Sequence, residues 1–271
     1  MALRFDPILN MPRQAGIYNA DAAAFNARVA SAGRTLTYLE SQANHRAGRD
    51  LATAGLTSSK IEFGLLGWAN QTANLLRFFS GSATDYGTNT HNAAGKVTTG
   101  AAGAINTGFI PSVDGFAGFM FYRVNTLATA TNEVFLSTNG GINNILVLPH
   151  YGAASYACYG GPQTTQQVAG TTQTGAGLYF ASRASATAQQ FSRTTSGGGT
   201  TVINNSAISG TTGAPDETLA LGAYKYTGNL YTGFAQSQYA CWCYQKAYLT
   251  STERDALISI MMTWLTDLRW I

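Results

Sequence analysis

The chain has 271 residues and a formal net charge of +3, with charged side chains at only 11% and glycine at 30 positions. So small a basic excess, with no Lys/Arg cluster to concentrate it, sets nucleic acid aside as a partner, and a weakly charged Gly/Thr/Ala-rich surface suits contact with proteins or glycans across large faces. The apolar runs are interrupted every few residues, so none reads as a membrane span, and MALRFDPILNMPR lacks the continuous apolar core of a signal peptide.

In chain order, Met1 to Arg13 reads as an extended arm containing Pro7 and Pro12. Asn19-Ala-Asp21 precedes an Ala-rich helical run from about Asp21 to Ser31, stopped at Gly33, with Phe25 and Val29 four apart on a narrow stripe. Thr35 to Leu51 fits a helix through Leu36, Leu39 and Ala43, although TLTYLE also alternates like a strand. Phe25, Val29, Leu36 and Leu39 are too few to form a core. Residues 1–59 are therefore read as an arm with short helices, used for attachment or oligomerisation, whose stripe lies on another surface. Arg28, Arg34, Arg46 and Arg49 form either a solvated face or a set of partners for carboxylates on a neighbouring subunit.

From Lys60 the texture changes, and residues 60–271 read as a β domain. IEFGLLGWA and LLRFFSGSATDYG look like its first strands, with Trp68, Phe78 and Phe79 in the core. His91 to Ile105 is poor in bulky residues and reads as a loop or a lightly packed edge. Phe116 to Val124 is nearly continuously apolar, the pattern of a strand buried on both faces. EVFLST and NNILVLPHY follow, joined by the hairpin signal Asn139-Gly140-Gly141. Between Gly152 and Gly213 the short alternating segments LYFASRA, QQFSRTT and TTVINNS, separated by Gly-rich turns, argue for an antiparallel meander. Gly228-Asn229 marks a hairpin whose second strand, Tyr231 to Tyr248, is long enough to need a bulge partway. The period then becomes helical: Leu257, Ile260, Met261, Trp264, Leu265 and Leu268 share a stripe, and Thr250 with Glu253 matches a capping box.

The stretch LGAY…NLYTGFAQSQYACWCYQKAYLTSTERDAL resembles the closing strands of concanavalin A-like lectin/glucanase jelly rolls, a laminin-G-like group that includes domains of phage structural proteins. The resemblance covers the last fifth of the chain and extends more loosely back to about Gly108. It implies a mainly β fold, an antiparallel β-sandwich, here with an N-terminal arm and helical segment and a C-terminal helix. It implies no particular chemistry.

Read for chemistry, the residues give little. Cys158, Cys241 and Cys243 are odd in number, and a C-x-C pair in a strand has poor geometry for an internal disulfide, so buried free thiols are expected. His45, His91 and His150 have no second His or Cys at ligand spacing, so no metal or cofactor is expected. A sandwich glycosidase carries alternating carboxylates such as E-x-D-x-E, and this chain has none; Asp85, Asp114 and Glu133 stand alone and Asp216-Glu217 sit in a turn. The expectation is a protein that is not an enzyme. Tyr151, Tyr156 and Tyr159 could stack on sugar rings or fill a protein contact. Two functions compete. One is a structural component of a tailed-phage virion, a head decoration, fibre or tail-associated protein, made in the host cytoplasm. It would contact other virion proteins or its own copies, and host glycans through a lectin-like domain. The other is a soluble carbohydrate-binding module or adhesin.

Overall fold

The computed structural model describes residues 18–92, 95–110, 118–124, 135–139, 143–151, 154–161, 167–171, 173–185, 188–207, 217–226, 230–232 and 237–271. The proposed arm up to Arg13 lies outside them. Each helix begins where a short polar side chain replaces the missing backbone acceptor. Asn19 caps α1 (Ala20–Ser31) and accepts from Ala22 N at 2.9 Å. Capping boxes open α2 (Tyr38–Thr53), through Thr37 and Glu40, and α4 (Ser251–Asp267), through Thr250 and Glu253. Asn70 caps the single turn α3 (Gln71–Asn74). No described helix is long and apolar enough to cross a membrane.

The three long helices also end alike. In each, a residue in the left-handed region turns the chain, and the N–H after it returns to a carbonyl five residues back: Arg34 to Val29, Leu56 to Leu51, Trp270 to Leu265. Glycine takes the left-handed position at Gly33 (φ 86°) and Gly55 (φ 69°), but in α4 the position is held by Arg269 (φ 59°).

The strands form a mainly β, antiparallel sandwich organised around β15 (Gln238–Gln245). On one side β15 pairs with β4 (Gly118–Arg123), then β9 (Gly177–Ser185), β10 (Ala188–Thr194) and β11 (Thr200–Ala207) follow. On the other side its Cys241–Gln245 stretch pairs with β1 (Ile61–Leu65), and Gln238 and Tyr239 pair with β3 (Gly95–Asn106). The path continues through β12 (Ala220–Leu221) to β5 (Phe135–Asn139), β6 (Asn143–Tyr151), β7 (Ala154–Gly161) and β8 (Gln167–Thr171). β8 comes back against β11 and β10, closing two layers. β2 (Thr84–Asn92) pairs with β3, and β13 (Tyr224–Tyr226) with β14 (Leu230–Thr232) form the small hairpin expected across Gly228-Asn229.

Alternation along β1, β15, β4 and β9 sends side chains to both faces of the central sheet. Phe63, Met120, Tyr122, Phe180, Cys241 and Cys243 meet the helices, whereas Phe121, Tyr179, Trp242 and Tyr244 meet the opposite sheet. β4 is thus buried on both faces, as its apolar run predicts. Trp264 of α4 lies between the helices and the central sheet, edge-on to Phe63 at 5.1 Å and Phe78 at 5.2 Å, with its indole N–H donating to Asn44 Oδ1 at 2.9 Å. On the inner face the fully buried Arg123 donates to the carbonyls of Gln173 (2.9 Å) and Gly175 (2.6 Å) and to the Tyr179 hydroxyl, over whose ring it also sits.

Four expectations are corrected. Phe25 and Val29 are fully buried in the chain's own core, because α1 finds its partners in cis: Phe25 packs on Phe78 at 5.2 Å and Trp68 at 6.3 Å. Leu36 is half-buried against the same core, and of the stripe only Leu39 (59% exposed) faces solvent. His91 to Ile105, expected as a loop or a lightly packed edge, instead includes the end of β2 and most of β3, which lies inside the sheet and whose small side chains fit a sharply bent pairing. LLRFFSGSATDYG, expected as a strand, holds isolated bridges between Gly64 and Arg77 and between Leu76 and Ser82, and regular pairing begins only at Thr84. The long strand Tyr231 to Tyr248 is two strands, β14 and β15, with different partners.

Candidate functional site

The densest group of chemically capable side chains lies where β2 bends. β2 pairs with β3 in two stretches, Thr84–Gly87 against Gly103–Asn106 and Asn89–Asn92 against Gly95–Thr98, with the register broken at Thr88. Residues six apart in a straight strand would be about 20 Å from each other. Here the bend returns His91 over Asp85, Nε2 to Oδ2 at 2.7 Å. Asn89 holds the corner, its amide nitrogen donating to Asp85 Oδ1 (3.2 Å), Tyr86 O (3.1 Å) and Ala104 O (3.3 Å). Gly103 is required there, since a Cβ would fall 2.2 Å from Asn89 Oδ1 and 2.5 Å from Thr88 O.

Two residues of α3 complete the group. Gln71 Nε2 donates to Asp85 Oδ2 at 2.9 Å, and Asn74 Nδ2 meets His91 Nδ1 at 3.1 Å while Asn74 Oδ1 accepts from Trp68 N at 2.8 Å. The Trp68 bond fixes which way the Asn74 amide points. Its NH2 therefore faces Nδ1, which accepts, and the imidazole proton sits on Nε2 toward Asp85. Both ring nitrogens are thus committed. As arranged, the Asp85–His91–Asn74 chain orients a strand bend, and the imidazole has no ring nitrogen left to take a proton from a ligand.

A second group surrounds Glu62 of β1, which is buried and faces Tyr244 across the β1–β15 pairing. Its Oε1 accepts from Phe79 N (3.0 Å) and Phe63 N (3.2 Å). Burial pushes this carboxyl up, against the pull of the Phe79 N–H, Lys246 and Arg77. Burial and the Glu62 charge raise the Tyr244 phenol to about 12. Tyr244 is stacked on by Phe109 at 3.9 Å and by Trp242 at 5.7 Å, so the acid lies at the edge of an aromatic row. A buried carboxyl with raised proton affinity is the electrostatic setting of a general acid.

The residues singled out in sequence fare differently. Tyr151 ends β6, and Tyr156 and Tyr159 lie in β7, opposite Leu148 and Ile145 of β6; their side chains fall outside the described set. Cys241 and Cys243 are free and buried, and burial raises both thiols, Cys241 to about 12. The Cys158 side chain lies outside the description. The four N-terminal arginines are occupied within the chain: Arg28 on the carbonyls of Arg77 and Phe78, Arg34 on Glu40 (2.8 Å), Arg46 on Asp267 (2.7 Å), Arg49 on Asp50 (2.9 Å). They are therefore not a free set for a neighbour's carboxylates. Asp85 does not stand alone, and neither its partner His91 nor the buried Glu62 was visible in sequence, because long-range pairing or a bend brings each group together. Among the described residues no group of three His, Cys, Asp or Glu side chains converges.

Neither a family model nor a curated protein matches the sequence. Solved structures of similar fold include apo Crh5 transglycosylase, at 14% identity over 59% of this chain and 76% of that one, with a TM-score of 0.40. The same enzyme in complex with NAG gives 14% identity over the same shares and a TM-score of 0.39. Domain 4 of AbnA, a GH43 extracellular arabinanase from Geobacillus stearothermophilus, in complex with arabinotriose, gives 16% identity over 72% of this chain and 98% of that domain, with a TM-score of 0.41. The likeness concerns the β-sandwich alone. It corrects the expectation that the chain is not an enzyme, since a transglycosylase is among the similar folds. That expectation rested on the absence of a local carboxylate run, and Glu62 and Asp85 meet their partners here by other routes.

Proposed function

We propose that this chain is a component of a virus particle of the tailed-phage type, attached through its helical layer and presenting the β-sandwich to its surroundings. The observation behind this reading is the distribution of exposed apolar side chains. With Phe25 and Val29 consumed by the core, Tyr18 (74% exposed), Tyr38 (57%) and Leu39 (59%) remain uncovered on or beside the helices. Low charge and Gly/Thr/Ala richness suit a subunit surrounded by other proteins. The test is Tyr38→Ser with Leu39→Ser in the full chain, measured by light scattering and by incorporation into particles. Neither side chain supports the core, so the variant folds. At least a tenfold loss of incorporation is expected, and unchanged incorporation and mass would remove the attachment role.

The second reading, a carbohydrate-binding module, is favoured by Tyr86, whose side chain is 41% exposed in β2 with the exposed Thr84 two residues away. A ring with a neighbouring hydroxyl is what a sugar face requires. Glycan-array binding that Tyr86→Ala, or combined replacement of Tyr151, Tyr156 and Tyr159, abolishes would support it, and an array without signal would end it.

A further inference from the structure

A cleft of about 570 Å³ opens where the α1–α2 turn, the β1–α3 turn and the end of α4 meet. Gly33, Arg34, Glu40, Trp68, Asn70 and Trp270 contribute to its lining, together with Ala69 and Arg269. Ala69 (φ 54°) and Arg269 (φ 59°) are the two non-glycine residues in the left-handed region among the described residues, and both lie on this cleft. Left-handed backbone is unfavourable for residues with a Cβ, and such positions gather at binding sites.

The polar groups of the cleft separate cleanly. Arg34 donates from Nε to Trp68 O (3.2 Å) and from Nη2 to Glu40 (2.8 Å); Glu40 also accepts from Thr37 N (2.7 Å). Asn70 accepts from Ala73 N (2.9 Å) and donates to Ala32 O (3.3 Å). Side-chain donors are left over, among them those of Trp68 and Arg269. The Trp68 indole N–H is buried and has no acceptor. Among the described residues the Arg269 guanidinium has no hydrogen-bond or ion-pair partner, whereas every other arginine and lysine with a described side chain has one. A site with surplus donors, one of them cationic, takes an anionic acceptor.

We propose that this cleft binds a carboxylate side chain carried by an acidic peptide segment of a partner protein. Arg269 supplies the charge, Trp68 a donor, and Leu268 and Trp270 apolar walls. A sugar acid fits less well, because its hydroxyls need several polar partners and those of the cleft are already committed within the chain. The inference does not depend on the particle reading, since any acidic partner satisfies it.

The experiment is an NMR titration of the ¹⁵N-labelled full chain, following the Trp68 indole N–H, assigned with Trp68→Phe, and the Arg269 side-chain Nε–H. The probes are N-acetylglutamate amide, N-acetylglutamine amide and glucuronate. The glutamate derivative is expected to shift both signals saturably and the glutamine derivative to leave them unmoved. Arg269→Gln, a change at an exposed position, is expected to weaken binding at least tenfold. No saturable shift, an equal response to the glutamine derivative, or unchanged binding by Arg269→Gln would overturn the site. Tighter binding of glucuronate than of the glutamate derivative would overturn its assignment to a peptide.

Discussion

The two faces of the central sheet are built from the same strands and hold different chemistry. Toward the helices stand Phe63, Met120, Phe180 and the two thiols, packed with Trp264, Leu265 and Phe25. Toward the opposite sheet stand Phe121, Tyr179, Trp242 and Tyr244, and the same alternation puts the buried ionisable groups of Arg123 and Glu62 among them. The first face gains stability from apolar area, which is forgiving of detail. The second contains charged groups whose burial is tolerable only with specific partners, so it specifies geometry as well as proximity.

The largest effect should come from the apolar face. Trp264→Ala is expected to cost about 3–5 kcal/mol in denaturant unfolding, the range for truncating a large buried aromatic. A cost below about 1 kcal/mol would mean that the helical layer contributes little. Next, Arg123→Leu keeps bulk and removes the donors to Gln173, Gly175 and Tyr179, at a cost of about 2 kcal/mol, the scale of a hydrogen bond to a charged group. A neutral or stabilising result would reduce the inner face to ordinary apolar filling.

A smaller, pH-dependent effect belongs to Glu62. Its carboxyl is raised by burial above the ordinary 4.5, so the folded chain holds this proton more tightly than the unfolded chain. Its stabilising contribution is complete below the ordinary value and is lost as pH rises through the raised one. Glu62→Gln still accepts from Phe63 and Phe79 and cannot ionise, so its stability relative to the parent should climb as pH increases from 4.5. A difference that stays flat between about pH 4 and pH 7 would show that no burial cost is present.

The smallest change is a gain. Arg269→Gly relieves the left-handed strain that Gly33 and Gly55 avoid in the same helix-ending motif, and should stabilise the chain by up to about 1 kcal/mol. It removes the unpaired guanidinium of the cleft at the same time. Calorimetry with the titration above would separate the two roles.

Local signals were legible in the sequence and long-range ones were not. The Thr250–Glu253 box and the Trp264 stripe give α4 almost to the residue, and Asn19 marks the start of α1. The continuous apolar run of β4 announces two buried faces. β3 was missed because Gly and Ala, which look like loop residues, are there to admit Asn89 and a bent partner strand. The destination of Phe25 and Val29 was missed for a related reason: a stripe shows that a helix packs on something, not on what. His91 and Asp85 meet only because β2 bends, and the five intervening residues carry no periodic trace of that contact.

β15 sits between β1 and β4, and Ile61 pairs with Gln245. The central position of the sheet is therefore filled by a strand that leaves the ribosome long after its neighbours. Until then β1 and β4 present open edges, and α1 and α2 lack the Trp264 layer that α4 brings. Closing so long a loop is entropically costly and slow. The nascent chain thus passes through a prolonged stage with apolar edges exposed, when aggregation competes with folding. Its yield in expression should depend more on temperature and chaperone supply than its final stability suggests.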